Sequence, residues 1–131
     1  MDQRLKDSSV PVTENGSFQI RLVNDSRFFW LLILHHDASL SEWHELNEED
    51  VRALSVLAGR LSAALKISEA ADKINIGALG NIVSQFHLHI IARHSTDDAW
   101  PGPVWGAGHA IPCSDEELAR RTDVVLSSLS V

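Results

Sequence analysis

The chain has 131 residues, 44% of them hydrophobic and 22% charged, which is enough to bury a core without disulfide or metal and is expected to form one domain over 1–131. A net charge of -7 speaks against binding nucleic acid, whose affinity comes from basic surface releasing counterions from phosphate, and no apolar run approaches the ~20 residues of a membrane span. Cys113 is the only cysteine and the opening MDQRLKDSSV has no apolar signal segment, so a soluble protein of the reducing cytoplasm is expected, with no membrane partner.

In chain order, SFQIRLV (17–23) alternates and meets the turn-forming Asn24-Asp25-Ser26, after which FFWLLIL (28–34) is an apolar run of strand length. The pair reads as a β-hairpin, with Trp30 as a core residue. A polar connection carries His35, His36 and His44, which are expected to be solvated. Asn47 then opens a helix whose first turn holds Glu48, Glu49 and Asp50, where acidic groups suit the helix dipole. Val51, Leu54, Ala58, Leu61 and Leu65 recur at helical spacing and make one stripe to lie on a sheet.

ADKINIG (71–77) alternates as a strand, with Ile74 and Ile76 on one face and Asn75 and Gly77 on the other. Gly77 to Asn81 reads as a tight, glycine-bearing connection into the strand IVSQFHLHIIAR, so these two strands are predicted to pair. Residues 97–112, rich in Pro, Gly and Trp, form a loop; Ser114 with Glu117 reads as a capping box ahead of a C-terminal helix over 115–129. The order β-β-α-β-β-α implies an α+β fold, an antiparallel sheet of about five strands with two helices.

The chemistry concentrates in SQFHLHIIARH (84–94). On a strand Phe86, Leu88, Ile90 and Ala92 go to the core, while Gln85, His87 and His89 share the other face. Same-face neighbours stand roughly 7 Å apart, so two imidazoles can reach one group of ligand atoms. Three readings are open. The residues are a solvated strand face; or His-x-His supplies two metal ligands, for which His35, His36, His44, His94 and His109 offer a third without diagnostic spacing; or the strand is a phosphate site. In the last, one neutral imidazole attacks phosphorus, its tautomer fixed by a hydrogen bond to a backbone carbonyl. The other, protonated, binds a phosphate oxygen or gives a proton to the leaving group.

Gly80-Asn81-x-x-x-Gln85-Phe86-His87-Leu88-His89-Ile90-Ile91 resembles the signature of the histidine triad (HIT) family, a strand of alternating histidine and apolar residues after a glycine-bearing turn. The match runs from 75 to 93. The resemblance implies a nucleotide hydrolase or transferase acting at the α-phosphate of nucleoside phosphoramidates, dinucleoside polyphosphates or related conjugates, without cofactor or metal. It implies His87 as the nucleophile that becomes nucleotidylated, His89 as a phosphate contact, and Gly80, Asn81 and Asn75 as substrate-binding positions. A homodimer with sheets joined edge to edge is implied as well. The branch is one with Gln85 in place of the first motif histidine, an amide that accepts and donates hydrogen bonds but cannot become a cation. The first hairpin is shorter than the family's, and its Pro-Lys-x-His segment has only Leu34-His35-His36-Asp37 as counterpart. A nucleotide-binding module that keeps the pocket without efficient turnover is the alternative. Trp100 and Trp105 flank Pro-Gly-Pro and are read as loop packing, or as a segment that closes the pocket or crosses a dimer.

Overall fold

Alternating apolar residues settle the centre of the molecule. In the computed structural model, which describes residues 1–130, they build strands β1 (Ser9–Asn15), β2 (Phe18–Val23), β3 (Phe29–His35), β4 (Lys73–Gly77) and β5 (His87–Arg93). Helices α1 (Gln3–Ser8), α2 (Glu48–Ser68) and α3 (Asp115–Leu129) and a 3-10 turn at Trp43–Glu45 complete the chain. The strands form one antiparallel sheet in the order β1-β2-β3-β5-β4. This is the expected α+β architecture.

One face of the sheet is closed by the long helices. Phe18, Ile20 and Leu22 of β2, Phe29, Leu31 and Ile33 of β3, and Leu88, Ile90 and Ala92 of β5 meet Leu54, Leu57, Ala58, Leu61 and Leu65 of α2 and Val125 of α3 in the main core. Each such leucine withdrawn from water is worth ~1.5–3 kcal/mol, so this face dominates stability. Asn47 caps α2 through an Oδ1 that accepts from Asp50 N–H, and Ser114 caps α3 by accepting from Glu117 N–H. Glu117 does not complete a box; its carboxylate holds Arg120 and Arg121 instead.

The opposite face is left for other work, and there sequence expectation and structure part. Strand β1 and helix α1, neither expected, precede the hairpin: Gly16, at positive φ, turns β1 into β2, while α1 lays Leu5 against Val23, Leu32, Leu34 and Val83. The predicted strand 82–93 begins only at His87. Residues 78–86 form an irregular crossing rather than a tight turn, since Gly80 takes φ 73° and Phe86 N–H donates to Leu40 O instead of to a neighbouring strand. Gln85 therefore lies ahead of the strand, not on its face.

Residues 94–114 have no regular element, yet they are tied down. Arg93, only 1% exposed, donates to the Asp97 carboxylate through Nε and Nη2 at 2.8 and 3.0 Å and to Gly102 O at 2.8 Å. A buried guanidinium is accommodated by pairing its charge and engaging its donors, here with a carboxylate, a main-chain carbonyl and, at Nη1, the side-chain oxygen of Asn75. Asp97 is correspondingly held at about 2, the arginine and backbone N–H bonds outweighing the opposing effect of burial.

Candidate active site

Register brings the site together. Opposite residues of an antiparallel pair point the same way, so Leu34 with His87, Leu32 with His89 and Trp30 with Ile91 all face away from the helices. From the other side Gly77 lies across from His89. His87 and His89 thus stand together on the face that α1 and the 94–114 loop cover, their ring centroids 4.7 Å apart.

His87 Nδ1–H donates to the main-chain carbonyl of Gln85 at 2.7 Å. A carbonyl accepts only, so Nδ1 carries a proton, and in the neutral ring the lone pair is on Nε2. Both histidines are 7% exposed, but each borders a cavity of about 470 Å³ that Leu5, Gly80, Asn81 and Trp105 also line. The ring is therefore neither in the apolar interior nor shut away from space of ligand size.

His89 is held differently. Trp30 Nε1–H donates to its Nδ1 at 2.9 Å, which puts the remaining proton on Nε2. Burial, and second to it the charge of His87 when protonated, push His89 down to about 3. It is a neutral donor at physiological pH, and the expectation of a protonated second imidazole is corrected on that ground. Trp30 is corrected with it: half-buried and facing the cavity, it belongs to the site and not to the helix-side core.

The other expected residues divide. Gly80 and Asn81 line the cavity, Asn81 exposed. Gln85 contributes its carbonyl to His87, while its side-chain Oε1 accepts from Asp2 N–H at 2.8 Å, turned to α1 and away from the imidazoles. Asn75 is not a cavity residue; its Oδ1 accepts from Arg93 Nη1 at 2.9 Å. His35, expected in solvent, instead donates from Nε2 to Asp50 at 2.7 Å. Among the described residues no group of three or more His, Cys, Asp or Glu could hold a metal ion, so the third ligand of the metal reading is not supplied.

Residues the sequence did not single out complete the walls. Arg4, Leu5 and Ser8 of α1 line the cavity, and Leu5, Ser8, Trp30 and His89 continue into an adjoining lobe of about 270 Å³ with Arg27 and Val104. Trp105 stands edge-on to His89 with centroids 5.2 Å apart. It can do so because residue 77 is glycine: a Cβ there would come within 3.1 Å of Trp105 Cη2. Of the readings open for Trp105 in the sequence, its position on the cavity wall beside His89 agrees with a segment that closes the pocket.

Fold and site define a class, an α+β protein with a tautomer-fixed histidine pair at the strand-and-turn end of a cavity. Comparison with known proteins agrees. The family model described as HIT domain matches residues 4–96. A histidine triad (HIT) protein from Sinorhizobium meliloti 1021 is 42% identical, with a TM-score of 0.94 over 98% of this chain and 96% of that one. Histidine triad proteins from Bradyrhizobium japonicum (32%, TM-score 0.95, 99% and 97% covered) and Marinobacter aquaeolei VT8 (32%, 0.93, 98% and 94%) are similarly alike. No curated protein matches at significance. The chain belongs to the histidine triad family.

Proposed function

We propose that the protein is a nucleotide hydrolase or transferase acting at the α-phosphate of nucleotide conjugates through a covalent nucleotidyl-His87 intermediate. The observation that carries this reading is the His87 Nδ1–H bond to Gln85 O, which leaves a lone pair on Nε2 of a residue bordering the cavity. Nε2 bonds to phosphorus as the bond to the leaving group breaks, and the Gln85 carbonyl supports the charge that then develops on the ring. Water releases the nucleoside monophosphate, electrons return to Nε2, and the water proton goes to solvent. Asn81 and the main chain at Gly80 bind phosphate oxygens, with His89 Nε2–H as a further donor. No cofactor enters the scheme.

The test incubates the protein with adenosine phosphoramidate and, separately, diadenosine tetraphosphate, following AMP release and intact mass. An AMP adduct or turnover with either substrate that disappears in His87→Ala supports the enzyme. A second reading, a nucleotide-binding module with little turnover, is favoured by the Gln85 side chain, which is engaged with Asp2 and gives His87 no support from the position of the first motif histidine. Nucleotide binding with neither adduct nor turnover would establish it.

The whole chain acts as one domain in this reading, supported by α3 packing on α2 and by α1 on the far side of the same sheet. A homodimer joined through β4 is part of it. The two sheet edges differ: β1 is blunted by Pro11 and a register shift, whereas β4 presents Ile76 at 51% exposure. No helix among the described residues is long and apolar enough to cross a membrane, and a cytoplasmic setting is supported by the single cysteine.

A further inference from the structure

We propose that Trp30 is a positioning residue that locks His89 as a neutral Nε2–H donor, so that the leaving group departs without a proton from His89. Its catalytic half rests on the nucleotidyl-transfer reading above; its structural half does not.

An indole N–H donates and never accepts. At 2.9 Å from His89 Nδ1 it demands a lone pair there, and a second proton on that nitrogen would be driven against the indole hydrogen. Trp30 cannot swing aside freely, because Phe28 stands edge-on to it at 6.4 Å and Leu5, Val23 and Leu32 pack around it. Nor can His89 turn away. Trp105 closes its other side at 5.2 Å, held over Gly77, and His87 lies 4.7 Å along the strand. Once His87 is bonded to phosphorus its ring is a cation, which opposes charging His89 still further.

His89 can therefore offer a hydrogen bond but not a transferable proton, since losing the Nε2 proton without gaining one on Nδ1 would leave an imidazolate. Leaving groups are affected unequally. When His87 Nε2 displaces a phosphate from a phosphoanhydride, the P–O bond breaks and its electron pair stays on a phosphate oxygen, stable as an anion. When it displaces an amine, the P–N bond breaks and the nitrogen needs a proton, which must come from solvent. General acid catalysis contributes ~10²–10⁴-fold where it operates. The site thus selects phosphoanhydride substrates over phosphoramidates.

Two measurements test this. Long-range proton–nitrogen spectra of histidine-labelled protein should show His89 protonated on Nε2 alone from pH 8 to 5. In Trp30→Phe the Nδ1–H form should become populated. A proton on Nδ1 in the native protein, or an unchanged tautomer in the variant, overturns the positioning role; the native spectrum decides alone if the variant does not fold. Single-turnover labelling of His87 should be ~10²-fold or more faster with diadenosine tetraphosphate than with adenosine phosphoramidate, the ratio narrowing in Trp30→Phe. Equal native rates overturn the leaving-group selection. Absence of labelling by both substrates overturns the nucleotidyl-transfer reading, and with it the catalytic half, while the spectra still decide the structural half.

Discussion

His89 ties site chemistry to stability. Its folded pKa is depressed to about 3 by burial and by His87, whereas an unfolded histidine titrates near ~6.5. The unfolded chain then binds one more proton than the folded one between those values, so this group removes stability as pH falls through that window, by up to about 1.4 kcal/mol per pH unit. Carboxylates such as Asp97 and Glu117, both held at about 2, add their own loss only further into acid. Denaturant titrations between pH 6.5 and 5 should show native protein losing more stability than His89→Gln; equal slopes would contradict a buried neutral His89. That His87 and His89 form a pair was legible because two residues apart on a strand means one face. The part played by Trp30 was not. In an apolar run a tryptophan reads as core, and only the pairing of β3 with β5 puts it beside an imidazole.

Among the elements, α1 matters beyond its six residues. It roofs the cavity through Leu5 and is anchored by Asp2 N–H to the Gln85 side chain. Removing that acceptor in Gln85→Ala leaves the carbonyl that serves His87 and loosens only the roof. A lost hydrogen bond of ~1 kcal/mol corresponds to roughly a fivefold change, and steady-state kinetics should place the larger part of it in KM. A loss confined to kcat would point instead to direct support of the nucleophile. Neither α1 nor β1 was readable beforehand. With one buried leucine α1 has no period to detect, and Pro11 with a bulge breaks the alternation that identifies a strand. Helix α2 was readable because its stripe repeats over many turns, and the start of β5 was misplaced because Ile82 and Val83 look like strand residues while Gly80 sends the chain elsewhere.

At the scale of the molecule, the sheet divides labour between its faces: α2 and α3 carry the packing, and the reverse side carries the cavity. This arrangement leaves β4 free for a second copy. Sedimentation should give twice the chain mass of 14.5 kDa, reduced to the single mass in Ile76→Asp, whose exposed position allows the fold to survive; a native monomer would end the edge-pairing proposal. The α+β order followed from local patterns, but which face became the site depended on contacts far apart in sequence. The aromatic clamp has a practical yield. The chain contains four tryptophans and no tyrosine, and two of those indoles touch His89. Ultraviolet emission from the unlabelled protein is therefore an internal gauge of events at the neighbouring imidazoles, readable in a stopped-flow mixer when a nucleotide conjugate is added.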